Sequence, residues 1–290
     1  FSGGSSVLQI NNTEPISSSV NLIYALFLSQ NYLKLYQKDF IQASYSYQLN
    51  AKWNVSSTLE YRNRSSLVNH ESTGFFFKER TFESNGDSFA ANSQLFAAIR
   101  LRFQPLASWR RFNGARRLSN ELGPTFMLNM EKAGGDYAYS RLSFQISQSI
   151  SLANWGDLNY RISGAHFINK PSILLDYQHF KGNEVNVVSG QTDFLALPYY
   201  QLSNPNGYFK AILSWELRKF ILTQNALLSL YGLKEKVGYA YLQTSVSSQV
   251  INYQEISYGL TGIGKILGID LVYPIGSVVP EKWKILVRLP

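Results

Sequence analysis

Residues Arg141 to Leu152 read RLSFQISQSISL. The even positions are Leu142, Phe144, Ile146, Gln148, Ile150 and Leu152; the odd ones are Arg141, Ser143, Gln145, Ser147, Ser149 and Ser151. Side chains of a β-strand point alternately to its two faces, so one face here is apolar and the other almost purely hydroxyl and amide. Soluble strands average about 5–6 residues, whereas a tilted membrane strand needs about 9–11. The alternation over Arg141–Leu152 is long enough for the second.

The same pattern recurs along the chain. In 39–49, Ile41, Ala43, Tyr45, Tyr47 and Leu49 oppose Gln42, Ser44, Ser46 and Gln48; after a tight connection, 53–63 sets Trp53, Val55, Leu59 and Tyr61 against Asn54, Ser56, Thr58, Glu60 and Arg62. That reads as a hairpin. Segments 92–104, 156–168, 207–219 and 281–290 repeat the alternation, and weaker candidates lie at 20–29, 121–131, 172–180, 194–202, 236–247, 253–264 and 268–275. Counting them predicts an all-β, antiparallel barrel of about fourteen strands, within a range of about 12–16. Heptads, low-complexity tracts and linkers are missing from the pattern, so 1–290 reads as a single domain.

Composition points the same way. Charged residues make up 16% of the chain, below the roughly 25% typical of soluble domains, and aromatics reach 14%. Ser, Asn, Gln and Tyr fill the difference, which suits a barrel with a lipid-facing outside and a polar lumen. No apolar run approaches the roughly 20 residues of a membrane helix. There is no cysteine, which excludes disulfides, thiolate metal sites and cysteine nucleophiles. The chain opens at Phe1; an exported barrel loses its leader, so an incomplete N-terminus is expected. The net charge of +8 fits lumen and periplasmic cations near acidic lipid groups, with no nucleic-acid partner.

Direction follows from parity, because periplasmic turns are short and outer loops long. With residue 290 in the periplasm, the turns at 50–52 and 153–156 fall there and 64–91 falls outside. Connections 105–120, 181–193 and 220–235 also land in the periplasm and are long for a plain porin. The polar face then offers Glu60, Arg62, Arg100, Arg102, Arg141, Arg161, Glu216 and Arg218 to the lumen. Trp109, Arg110, Arg111, Arg116 and Arg117 form a basic patch beside lipid phosphates, with Trp109 as an interface anchor.

Catalytic chemistry has little to work with. The histidines are His70, His166 and His179, with His166 and His179 on neighbouring predicted strands. Asp176 precedes His179 by three residues, which on a strand puts them on opposite faces, so no metal site is expected. A hydrolase would need Ser147 or Ser149 with His166, yet no G-x-S-x-G elbow accompanies them. No cofactor is expected either.

Several segments carry a family resemblance. Pro124 onward reads PTFMLNMEKAGG, then DYAYSRLSFQISQSISLANWGDLNYRISGAHF and INKPSILLDYQHFKGNE; further on come FLALPYYQLSNPNGYFKAILSWELRKFIL, NALLSLYGLKEKVGYAYL and YQEISYGLTGIGKILGIDLVY. In order and spacing these resemble the C-terminal barrel of Bacteroidota outer-membrane proteins that carry an N-terminal carboxypeptidase-regulatory-like domain. Those barrels are similar to the surface-antigen barrels of outer-membrane assembly machines. The resemblance spans roughly 92–290; it lacks that N-terminal domain and the VRGF-type loop motif of the assembly barrels, so insertase activity is not implied. It implies a non-enzymatic barrel in a bacterial outer membrane, structural or accessory to a protein assembly or export complex. Its partners would be outer-membrane lipid, lipopolysaccharide, and other outer-membrane or periplasmic proteins. The alternatives are a porin-like channel for small solutes and an outer-membrane hydrolase.

Overall fold

The computed structural model describes residues 1–68, 75–76, 79, 81, 85, 89–119, 123–190, 192–225, 228, 231–246 and 249–289. Its architecture is all-β, dominated by one thirteen-stranded sheet. In chain order the strands are β1 Ser2–Gln9, β2 Leu35–Gln48, β3 Trp53–Ser66, β4 Asn92–Phe103, β5 Ser108–Phe112, β6 Ala115–Ser119, β7 Thr125–Gly135 and β8 Tyr139–Ser151. They continue with β9 Asp157–Asn169, β10 Val187–Ser189, β11 Tyr208–Leu217, β12 Lys234–Val246, β13 Gln249–Ile263, β14 Leu267–Ile275 and β15 Lys284–Leu289. Sheet order is β1-β2-β3-β4-β7-β8-β9-β11-β12-β13-β14-β15-β10, and β5–β6 form a separate hairpin. Every neighbour in the large sheet is antiparallel except β10, which runs parallel to β15.

RLSFQISQSISL falls within and just past β8, where Leu142 faces His166 on β9 and Met130 on β7. Drawn with β8 running downward, the lower end carries the turns at 49–52 and 152–156. Gly156 makes the second of these, at φ +97, where a side chain would strike the Glu216 carbonyl. The upper end carries 10–34, 67–68, 89–91, 170–190, 192–207 and 276–283.

The two faces differ in kind. One is bare and apolar: Ile41 is 71% exposed, Ile99 56% and Ile285 65%, with Leu59, Met130, Phe144, Leu213, Ile256 and Ile269 in the same condition. The other face is polar and covered by the long connection 170–207. Buried Phe180, Phe194, Leu197 and Leu202 of that connection pack on Ala240, Leu242 and Tyr253 of β12 and β13. Val188, Leu195 and Ala196 pack on Val272 and Leu286 of β14 and β15. Leu175 joins Ile10 and Tyr36 at the other end of the sheet order. Val187 pairs with Val287 of β15 and also packs against Ile16, Val20 and Tyr199, which lie beside the segment following β1. One connection thus touches both ends of the sheet, so the sheet curls around it with the polar face inside. No ladder joins β1 to β15 among the described residues; β10 occupies the edge of β15 instead.

Several expectations need correction. Residues 20–29 form helix α1, Ser18–Leu28, and not a strand. VNLIYALFL lacks a period of two, Ser17 caps the helix by accepting from Val20 N–H, and Ser29 closes it in the left-handed region. Segments 172–180 and 194–202 are not strands either: their apolar side chains are buried within the connection, and apart from a single bridge, Gln178 to Asn204, they join no ladder. Two false strands cancel in parity, so the directions of the true strands survive. The stretch 181–193, however, belongs to the upper-end connection and not to the lower end. Connection 105–120 contains the β5–β6 hairpin, and β1 escaped notice because SGGSSVLQ barely alternates.

Candidate functional site

The candidate site is the covered face together with the connection that fills it. Asp176 is the first anchor. Its carboxylate receives Arg64 through both guanidinium arms, Nη1 at 2.6 Å and Nη2 at 2.9 Å, and Gln94 Nε2 at 3.3 Å. Arg62 stands 3.8 Å away, bridging to Glu60 at 3.5 Å, and Glu60 meets Lys38 at 3.1 Å. Arg64 is 2% exposed, so its charge depends on this bidentate partner. Glu60, Arg62 and Arg64 sit two apart on β3, which brings all three to one face.

Glu255 on β13 is the second anchor. Its carboxylate accepts backbone N–H groups of Leu195 at 2.6 Å, Ala196 at 2.8 Å and Leu197 at 3.1 Å, and the Tyr253 hydroxyl at 2.5 Å. Three donors that would otherwise be orphaned in an irregular buried segment are satisfied by one acceptor. The lower end repeats the device. Glu235 on β12 accepts the N–H groups of Phe220, Ile221, Leu222 and Thr223 and the hydroxyl of Tyr258.

Asp193 is the third anchor, held by Arg161 at 2.8 Å and Lys210 at 2.5 Å. Burial alone would raise its pKa; Lys210 and then Arg161 outweigh that and hold the carboxyl below the usual range. Below Asp193 lies a partly open cavity of about 870 Å³. Its wall includes Ser147, Ser149, Asn159, Ser214, Glu216, Lys236 and Arg288. Further contacts fasten the connection from other strands: Arg141 to Gln178 at 2.9 Å, Asn204 to Thr244 at 2.7 Å, and Arg288 to the Gly190 carbonyl at 3.5 Å.

His179 is buried in the connection, not on a strand, with Nδ1 2.7 Å from Ser203 Oγ. Burial pushes its pKa down to about 4, only partly opposed by the Leu174 carbonyl. The unfolded imidazole takes its proton near 6.5, so the open form binds protons first as pH falls. Stability is therefore full above about pH 6.5 and is lost on acidification toward pH 4, by about 3 kcal/mol in total. Hydrogen exchange of 174–204 should show wild-type protection falling across that window and His179→Asn protection staying flat; equal pH profiles would contradict the assignment.

Of the residues expected at the lumen, Glu60, Arg62, Arg141, Arg161 and Glu216 join the covered face. Arg141 pairs with Glu131 at 2.5 Å, and Glu216 with Lys234 at 2.5 Å. Arg100 lies opposite Asn129 and Ser56 on the same face, with Arg102 two residues further down, but both are exposed near the lower end. Arg218 lies beyond the end of β11 and is exposed. Trp109, Arg110, Arg111, Arg116 and Arg117 are all in the exposed β5–β6 hairpin. His166 is exposed opposite Leu142, on the face away from Ser147, so the hydrolase pair is not assembled. His70 lies outside the described residues. Among those described, no group of three His, Asp or Glu side chains could hold a metal ion.

Sequence reasoning missed Arg64, Asp193, Lys210 and Glu255, and read Asp176 only as a possible metal ligand. Arg64 was findable, since it continues the parity of Glu60 and Arg62. Glu255 was findable as a lone carboxylate within an otherwise uncharged strand. Asp193 had no local signal, because its partners come from β9 and β11.

The arrangement defines a class: a large all-β sheet whose bare face is apolar and whose polar face is filled by its own chain. Residues 1–260 match the model of the DUF5686 C-terminal domain, a family of unknown function, and the chain belongs to that family. The match is to a C-terminal domain, the position expected of a piece of a larger protein. No curated protein matches the chain.

Proposed function

We propose that this chain is a transmembrane β-barrel of a bacterial outer membrane, plugged by its 170–207 connection. In this reading it is non-enzymatic, a structural or accessory part of an outer-membrane protein assembly or export complex. The observation that carries the reading is the inversion of faces. Monomeric soluble proteins rarely expose apolar patches beyond a few hundred Å², whereas this sheet is bare and apolar from β2 to β15. A bilayer makes that face favourable and requires the backbone to close on itself.

Aromatic side chains support the depth assignment. Near the lower end Trp53 stacks on Phe103 at 4.3 Å and Phe103 meets Phe126 in a tilted contact at 5.9 Å, while Trp215 Nε1–H donates to the Trp155 carbonyl at 3.0 Å. Near the upper end Tyr273 meets Trp283 at 5.1 Å. Aromatic girdles of this kind mark the two membrane–water interfaces. The short turns at 49–52 and 152–156 assign the lower end to the periplasm in this reading.

The filled interior favours an accessory role over the porin-like alternative, because solutes would have to displace a connection fastened by buried ion pairs such as Arg64 to Asp176. At the upper end α1 exposes Leu22, Ile23, Leu26 and Phe27, with Phe27 stacked on Phe76 at 5.1 Å. This surface lies beyond the strands and suits a partner protein. Purification in mild detergent should bring down another outer-membrane or periplasmic protein in fixed proportion, and planar bilayers should stay silent; a steady open conductance with nothing co-purifying would favour the channel. The lipid contact has its own test. Ile99→Arg sets a charge mid-strand on the bare face and should cost about 2–4 kcal/mol of stability in bilayers, measured by unfolding from vesicles. A cost near zero would count against lipid at that position.

A further inference from the structure

The β5–β6 hairpin stands apart from the large sheet, with no ladder to any of its strands. An isolated two-stranded hairpin is marginal in water. This one also sets Arg110 opposite Arg117 and Arg111 opposite Arg116, like charges that disfavour the pairing. Trp109 lies opposite Leu118, so Trp109, Leu118, Arg111 and Arg116 share a face. Arg116 sits 4.9 Å over the Trp109 ring, and neither Arg111 nor Arg116 has a carboxylate partner among the described residues. The face is apolar at its base and basic toward its tip, a pattern suited to a membrane surface.

A second observation adjoins it. The bare face carries an apolar hollow of about 310 Å³ between β3, β4, β7 and β8, lined by Trp53, Leu101, Phe103, Phe126, Leu128 and Phe144 among others. Phe103 ends β4 and Phe126 is the second residue of β7, so the two strands that flank the hairpin in the chain meet it from the rim of this hollow. Gln104 Nε2 ties to Thr125 Oγ1 at 3.1 Å, and a tight turn, Ala107 N–H to the Gln104 carbonyl at 3.1 Å, keeps the hairpin base near Phe103.

We propose that this corner binds an anionic phospholipid, one acyl chain lying in the hollow and the headgroup phosphate on Arg111 and Arg116. The site rests on the reading that the bare face meets lipid. A phosphate relieves the repulsion between the opposed arginines and the hollow accepts an acyl chain, so one lipid satisfies both features.

The test uses the whole chain in detergent, titrated with fluorescent phosphatidylglycerol and, separately, phosphatidylcholine. Phosphatidylglycerol should bind at least tenfold more tightly, and Arg111→Gln with Arg116→Gln should erase that preference. Leu128→Trp, which fills the hollow, should weaken both lipids alike while the wild-type circular dichroism is kept. Equal affinities in the wild type, or a preference that survives the double variant, would overturn the site and leave the membrane reading standing. Competition by polyglutamate at the arginines with no effect of Leu128→Trp would overturn it in favour of an acidic protein partner. A chain that binds no lipid and enters no vesicle would instead sink the underlying membrane reading.

Discussion

Asp176→Ala should release the first third of the filling connection and cost about 3–5 kcal/mol. That is the usual penalty for removing one partner of a buried ion pair. Arg64 would be left 2% exposed without the two short bonds it now makes to Asp176, and Gln94 would lose an acceptor as well. Arg62 would keep Glu60, so the damage should concentrate on Arg64 and on residues 174–178. Thermal unfolding in detergent would read the global part, and hydrogen exchange of 170–180 the local part. A second variant separates charge from shape. Replacing a buried pair with apolar residues of similar size is often neutral, so Arg64→Met with Asp176→Leu should recover most of the loss. If the double variant were as damaged as Asp176→Ala, the pair would matter for something other than its unpaired charge.

Glu255→Ala should have the second large effect, and at a different place. Three backbone N–H groups, of Leu195, Ala196 and Leu197, would lose their acceptor in a segment that is almost wholly buried. Each unsatisfied buried donor costs about 1–3 kcal/mol, so the total is about 3 kcal/mol or more. Glu255→Gln keeps one carbonyl oxygen in place and should retain part of the protection. Asp176 lies in the connection and Glu255 on β13, and the two carboxylates share no partner, so Asp176→Ala and Glu255→Ala should add. Together they should turn a silent chain into a flickering conductor in planar bilayers. Silence in the double variant, with exchange protection lost, would mean that the connection can loosen without opening a path.

Much of the sheet was legible because alternation is a local property. RLSFQISQSISL and the 39–63 hairpin needed only the period-two rule, and the weaker candidates at 236–247, 253–264 and 268–275 are strands as well. The errors share a cause: burial that does not come from strand pairing. FLALPYY is apolar because Phe194 and Leu197 pack on β12 and β13 and Tyr199 on Ile16 and Val20, and nothing within the segment distinguishes that from a fully buried strand. The helix at Ser18–Leu28 was missed because its short apolar run, 20–29, was read as a weak strand candidate. For the site, Glu60, Arg62, Arg141, Arg161 and Glu216 were visible as charges on a polar face. Their partners were not, since Asp176 and Asp193 lie far along the chain and meet them only through the fold.

The central claim is that the apolar face of β8 meets lipid and the polar face meets the chain's own filling. Because the chain has no cysteine, each position from 142 to 150 can carry one nitroxide label in a single-cysteine variant. Collision with oxygen and with a water-soluble nickel chelate should then be measured in lipid vesicles. The account predicts a period of two: labels at Leu142, Phe144, Ile146 and Ile150 reached by oxygen and shielded from the chelate, with Ser143, Gln145 and Ser147 poorly reached by oxygen. Chelate access to the Leu142, Phe144 and Ile146 positions equal to that of an exposed loop label would contradict it.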